Sequence, residues 1–296
     1  MAINRRRAPS SATSSEKKLS GHRVEFEYAK LIGGETISGT KKGDVKDLNG
    51  NLHSVKSGKK WQVFLYRYAR VSQTKYLKIL LPCLDAFPVD YGIYVTDREK
   101  VIGFKEKYLK ENGRTQFTTL SNETLEKELN PNFYIRAKYN LRDLTGNICD
   151  ALKNEQFRRK FLMEAIFNNE EVEFLSIMDT TYEIDSYFKV FPKDYVLNTL
   201  SRKLFPGVSK AGIAPDDFNV GGQKITMRYE NSEGKAKNIV EIEIRNDSAQ
   251  HYREVRFNMY SRDVLYLLLE NSKTLGKRIV RDRVLAFGAA INSIEH

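Results

Sequence analysis

Cysteine is scarce in this 296-residue chain: Cys83 and Cys149 stand far apart, each among apolar neighbours. That excludes a disulfide framework and a cysteine-built zinc site, and both thiols read as small core hydrophobes of a reducing, cytoplasmic compartment. Long apolar runs are missing as well. No stretch approaches the ~20 residues that a membrane-spanning helix needs. The best candidate, Tyr76 to Leu84, is interrupted by Lys78 and Pro82, so no membrane partner is expected. Met1 to Lys18 is basic and serine-rich without an apolar stretch, which argues against a secretory signal and leaves a transit peptide as the other reading. The histidines, His22, His53, His251 and His296, show no zinc-ligand spacing. A Gly-x-Ser-x-Gly elbow, a phosphate-cradling Gly-x4-Gly-Lys-Ser/Thr loop and a Gly-x-Gly-x-x-Gly fingerprint are all lacking. Elbow-type hydrolysis, nucleotide-driven chemistry and a nucleotide cofactor are therefore not expected.

What is present is a globular composition, 41% hydrophobic with 16 Tyr and 16 Phe, carrying a net charge of +11. Such an excess favours a polyanionic partner, because each phosphate contact releases counterions. Residues 1 to about 20 read as a flexible basic arm in which Arg5, Arg6 and Arg7 are candidate DNA contacts; a solubilising tail is the plainer alternative. The pattern then predicts a helix from His22 to Leu31, with Val24, Phe26, Ala29 and Leu31 near helical spacing and Gly33-Gly34 ending it. A hairpin follows: Asp44 to Leu48, a two-residue Asn49-Gly50 turn, and a returning strand from Leu52. Trp61 to Val71 reads as a helix with Trp61, Phe64, Leu65 and Tyr68 on one face. Further on, Tyr76 to Cys83 fits a strand or a short buried helix, and Asn122 to Glu128 a helix. Asn154 to Phe167 reads as an amphipathic helix, Lys224 to Tyr229 and Ile239 to Arg245 as strands around a turn at Asn231 to Gly234, and Val264 to Leu269 as the start of a helix. With a boundary placed near 145 to 155, the expected organisation is an arm (1–20), a core (21–150) and a second region (151–296).

The stretch from Gly43 to Tyr66 carries the chemistry. Alternation puts Ser54 and Lys56 on one face of the returning strand with Val55 pointing inward, and the tight turn brings Asp44 back beside them. A carboxylate, a hydroxyl and an ammonium on one hairpin suit phosphodiester hydrolysis: a hard cation on the carboxylate acidifies water, and the ammonium stabilises developing charge. The plainer alternative is an exposed hairpin with solvated lysines, since Lys41, Lys42, Lys46, Lys56, Lys59 and Lys60 crowd together.

These residues resemble the PD-(D/E)XK nuclease superfamily, which includes many type II restriction endonucleases. Asp44 matches the metal-binding Asp, with Gly43 in place of the usual Pro; Lys56 matches the catalytic Lys; Gln62 and Tyr66 resemble the Gln-x-x-x-Tyr helix of the RecB-like branch. Ser54 stands where Asp or Glu is usual, a Ser-X-Lys variant that needs a carboxylate from elsewhere. Glu25 on the preceding helix is the first candidate, with Glu27 and Glu35 as rivals. The resemblance covers residues 22 to 70. It implies a mixed central sheet flanked by helices (α/β or α+β, with a further α+β region towards the C-terminus), Mg²⁺ or Mn²⁺ on Asp44 and Glu25, and Gln62 orienting the site. It implies cleavage of double-stranded DNA by a homodimer at a specific site. Lys41, Lys42, Lys59, Lys60, Arg253, Arg256 and Arg262 are the further expected DNA contacts, with a solvated charged face as the alternative for the C-terminal group. Pro215-Asp216-Asp217 with Glu241, Glu243 and Arg245 forms a weaker second array that lacks a Lys. Against the nuclease stand a non-catalytic nucleic-acid-binding protein and an interaction protein with an incidental basic charge.

Overall fold

The computed structural model describes residues 11–37, 43–85, 143–169, 171–179, 188–208, 224–246 and 252–295. The chain forms two compact units, each built from separated segments: residues 1–59, 167–196 and 265–296 in the first, 60–166 and 197–264 in the second. Both units draw residues from either side of the boundary expected near 150.

In the first unit, α1 (Ser11–Ile32) precedes β1 (Glu35–Thr36), β2 (Val45–Lys46) and β3 (Leu52–Lys56). Helix thus begins at Ser11, so the segment expected as an arm up to residue 20 is helical from there; Arg5, Arg6 and Arg7 lie outside the described residues. The good helix formers Glu16 to Leu19 allow the nucleated helix to propagate towards the N-terminus. Gly33, at φ 69°, ends it. A Cβ on Gly34 would come within 2.3 Å of the Lys46 carbonyl, so glycine is what lets the chain pass this closely to β2. The packing face of α1 is Tyr28, Ala29 and Ile32; Phe26, expected there, is 66% exposed.

The hairpin turn is one residue longer than expected. Asp47 N–H donates to Asn51 O at 3.0 Å, and Gly50 takes the left-handed position at φ 87°. Beyond β3 come β5 (Phe174–Met178), β6 (Phe188–Pro192), β11 (Lys277–Arg281) and β12 (Val284–Phe287). The seven strands form one mixed sheet in the order β1-β2-β3-β5-β6-β12-β11. Its β3/β5 and β6/β12 pairs are parallel and the rest antiparallel. Register partners share a face. Val45, Val55, Phe174, Phe188, Val190, Val284 and Ala286 pack with α1 and with Ala290 and Ile294 of the last helix (Ala289–Ile294). Ser54, Lys56, Leu175, Ile177, Lys189 and Phe191 belong to the opposite face.

The second unit holds an antiparallel sheet ordered β4-β10-β9-β8-β7: β4 (Trp61–Arg67), β7 (Phe205–Val208), β8 (Lys224–Glu230), β9 (Ala236–Asn246) and β10 (Tyr252–Met259). β4 corrects the helix expected over Trp61 to Val71; only Tyr68–Ser72 is helical. An irregularity opposite Phe257/Asn258 breaks the alternation of β4, so Trp61 and Phe64, three residues apart, are both buried, and a bulged strand imitates a helical period. Glu155–Phe167 is helical as expected, with the Asn154 side chain accepting from Phe157 N–H at 2.9 Å. Tyr76 to Cys83 takes its helical alternative, as Leu77–Leu80 and Leu81–Asp85. The two C-terminal strands and the turn between them form as expected, and the helix after β10 spans Ser261–Asn271. The helix expected over Asn122 to Glu128 lies outside the described residues. Among the described residues no helix is long and apolar enough to cross a membrane.

Candidate functional site

β2 peels away from β3 just before Val45. Asp44 N–H still donates to His53 O at 2.8 Å, although it is Val45 that pairs with His53. The divergence leaves the Val55 N–H without a strand partner, and the Asp44 carboxylate fills the gap: its Oδ2 accepts from Val55 N–H at 2.7 Å, from Lys56 Nζ at 3.0 Å and from Ser54 Oγ at 3.3 Å. Asp44 and Lys56 are half-buried, at 19% and 18% side-chain exposure, while Ser54 is buried. All three donors converge on Oδ2, and Oδ1 accepts no hydrogen bond among the described residues. The expected trio of Asp44, Ser54 and Lys56 is therefore assembled around one carboxylate oxygen.

The other expected members are not brought to this trio. Glu25 accepts from His22 Nδ1 at 3.1 Å, and α1 packs on the opposite sheet face; no contact joins Glu25 to Asp44, Ser54 or Lys56 among the described residues. The structure thus does not bring Glu25, the expected second metal ligand, to the trio. Its rivals are paired elsewhere, Glu27 with Arg283 at 3.2 Å and Glu35 with Lys46 at 3.8 Å. Gln62 and Tyr66 lie on a strand of the second unit, where Gln62 stands opposite Asn258, and Tyr66 opposite Val255 stacks on Phe64 at 4.3 Å. There is thus no Gln-x-x-x-Tyr helix.

Behind the hairpin lies a network the sequence reading did not find. Asp47 Oδ1 accepts from the N–H groups of Asn49 and Asn51, both at 2.9 Å, holding the turn. Its Oδ2 accepts from Ser293 Oγ at 2.6 Å, Asn51 Nδ2 at 3.0 Å and His53 Nε2 at 3.3 Å. An ionised carboxylate only accepts, so Nε2 carries the His53 proton, and the single lone pair of Nδ1 faces two hydroxyls, Tyr28 OH (3.0 Å) and Ser176 Oγ (3.2 Å). Burial pushes the Asp47 pKa up, yet the hydrogen bonds from His53, Ser293 and Asn51 prevail and hold it below the usual carboxylate range. Burial lowers His53 from 6.5, against the opposing pull of Asp47. Burial likewise raises the Tyr28 phenol. Ser176, His53 and Asp47 have the order of a hydrolase triad, but Ser176 and His53 are wholly buried, so no substrate reaches them. The one sequence signal was His53 itself, a polar residue that strand alternation puts on the same, inward face as Val55. Lys189, within the apolar run Phe188 to Phe191, gave a similar signal; it is buried and pairs with Asp179 at 3.8 Å.

The expected DNA contacts divide. Arg253 is buried, donates to Leu84 O at 3.0 Å and to Asp85, and lies over the Tyr68 ring, which makes it a structural residue. Lys60 meets Glu241 at 2.8 Å, and Arg256 is bonded to Glu243; Lys59 and Arg262 are exposed. Lys41 and Lys42 lie outside the described residues. In the second array Glu241, Glu243 and Arg245 do share a face of β9, but they are held in ion pairs with Lys60, Lys224, Arg256 and Glu254. Pro215-Asp216-Asp217 lies outside the described residues.

No group of three or more His, Cys, Asp or Glu side chains able to hold a metal occurs among the described residues. Mg²⁺, however, needs only one or two carboxylates when substrate phosphate completes its shell, and the open Oδ1 of Asp44 suits that arrangement. No protein-family model, curated protein or solved structure matches this chain.

Proposed function

We propose that the chain is a metal-dependent endodeoxyribonuclease acting on duplex DNA, of the site-specific restriction type. The observation that carries this reading is the convergence of Val55 N–H, Ser54 Oγ and Lys56 Nζ on a single oxygen of Asp44. The acid, just ahead of β2, and the lysine, on the neighbouring β3 of a mixed sheet, are placed much as in the nuclease superfamily the sequence resembles.

Asp44 would hold the cation through Oδ1, and the cation would neutralise phosphate charge and acidify a bound water. Ser54 and Val55 fix the carboxylate from behind, so its orientation does not depend on the ion. Lys56, held at Asp44 by its ammonium, would stabilise the charge that builds on the attacked phosphate by shifting from carboxylate to phosphate. With one protein carboxylate, cation affinity is weak until DNA supplies further oxygens. The net charge of +11 supports a polyanionic substrate, and a palindromic target would match a two-fold dimer.

Supercoiled plasmid incubated with the protein in Mg²⁺, in Mn²⁺ and in EDTA tests this. Cleavage into discrete fragments that EDTA abolishes supports the reading. Salt-sensitive DNA binding with no cleavage under any of these conditions would replace it with the non-catalytic nucleic-acid-binding protein.

A further inference from the structure

One face of the second unit's sheet is polar. Val240, Ile242 and Ile244 of β9 and Val255, Phe257 and Met259 of β10 are buried on the other face. Glu241 and Glu243 of β9 and Arg256 and Asn258 of β10 therefore share the polar one. Register adds Gln62 of β4 opposite Asn258, and Lys224 of β8 opposite Glu243. Glu241 Oε1 accepts from Lys60 at 2.8 Å and Lys224 at 3.4 Å, and its Oε2 from Tyr260 OH at 3.2 Å. Lys60, Lys224 and Arg256 thus surround Glu241 and Glu243, with the Arg245–Glu254 pair further along the same face.

Two features point to an absent acceptor. Asn258 is 4% exposed, yet its Nδ2 has no hydrogen-bond partner among the described residues, and neither has Arg256 Nε. A buried donor left unmatched is destabilising, so an acceptor brought by a ligand would be favoured here. The surface around it is open: the side chains of Lys60, Lys224 and Arg256 keep 37%, 29% and 29% of their area exposed, and Gln62 is exposed.

We infer that this face is the DNA-reading surface, with Gln62 and Asn258 reading base edges while Lys60, Lys224 and Arg256 contact phosphates. A primary amide offers a donor and an acceptor side by side, which matches the N7/N6 edge of adenine, and the two amides stand on neighbouring strands. The excess of cations over carboxylates suits phosphate. Gln62, expected from the sequence to orient a catalytic site, belongs to recognition instead. This inference rests on the nuclease reading for its choice of DNA.

The test enriches randomised DNA duplexes on the full chain and compares the wild type with Asn258→Val, Gln62→Ala and Lys224→Ala. Wild type is expected to enrich a site containing A·T pairs, and Asn258→Val and Gln62→Ala each to lose preference at one position by about tenfold. Lys224→Ala is expected to weaken all sequences alike and lower the salt slope by about one. Asn258→Val is also expected to melt at or above the wild-type temperature, because it removes an unmatched donor; a purely structural asparagine would lower it. Gln62 is exposed, so its variant tests the inference even if Asn258→Val misfolds. Unchanged enrichment in both amide variants, or RNA outcompeting DNA at this face, overturns the inference. Mg²⁺-dependent cutting with an identical pattern in both variants leaves the nuclease reading standing without it, whereas amide-dependent enrichment without any cutting does the reverse.

Discussion

His53 ties three segments together from inside the core, its Nδ1 lone pair facing hydroxyls of α1 and β5 and its Nε2 proton given to Asp47 at the hairpin turn. Its ring must stay neutral, which makes stability depend on pH in a definite direction. The folded-state pKa is depressed below 6.5, so the unfolded chain takes up the proton first. The stabilisation is complete above 6.5 and is lost as pH falls towards the folded value. Denaturant melts at pH 7.5 and 5.5 are expected to show lower stability at 5.5, and His53→Gln to shrink that difference. Asp47, also depressed, adds a further loss below 3.8. Asp47→Ala leaves His53, Ser293 and the turn amides unmatched, and a loss of about 3 kcal/mol or more is expected in equilibrium unfolding. Burial raises the thiols of Cys83 and Cys149, to about 12 and about 11, so neither is expected to react with a thiol reagent at pH 8 until the chain unfolds.

At the scale of elements, one carboxylate organises a helix start. Glu164, on the helix Glu155–Phe167, accepts from the backbone N–H groups of Lys75, Tyr76 and Leu77 at 2.8, 2.6 and 2.8 Å, ahead of the turn Leu77–Leu80. These are charge-assisted bonds to donors without intrahelical partners. Glu164→Gln keeps the shape and removes the charge, and a loss of about 2 kcal/mol is expected in the same unfolding measurement. Contacts of this kind leave no local trace in the sequence, since the partners lie 87 to 89 residues apart. Local signals did define the glycine stop after α1, the hairpin, the Asn154-capped helix and the C-terminal strand pair, because turn chemistry and periodicity act over a few residues. The reading failed at β4, where a bulge made the burial period helical, and at Phe26, where a single apolar residue was assigned to the wrong side of α1. In the candidate site, Asp44, Ser54 and Lys56 were legible because one hairpin holds them. Glu25 and Gln62 were not, because their positions depend on which sheet face a helix covers and on whether a segment is strand or helix.

For the whole molecule, the order of strands matters more than the order of residues. β3 pairs with β5 across more than a hundred intervening residues, and the seven-stranded sheet takes four strands, β5, β6, β11 and β12, from beyond residue 150. A fragment ending at 150 keeps the hairpin and loses its parallel neighbour, so it is expected to remain unfolded by circular dichroism and hydrogen exchange. A sheet closed by such distant pairings also folds slowly for its size.

If Asp44 and Lys56 are a reacting pair and not merely an ion pair, Lys56→Ala separates DNA binding from chemistry. The measurement follows duplex binding and Mg²⁺-dependent cleavage of the same DNA side by side. Binding is expected within about twofold of the wild type, and cleavage slower by about 10²- to 10³-fold, the loss that follows removal of a charge-stabilising donor. Cleavage by Lys56→Ala at the wild-type rate would leave the two residues an ion pair only.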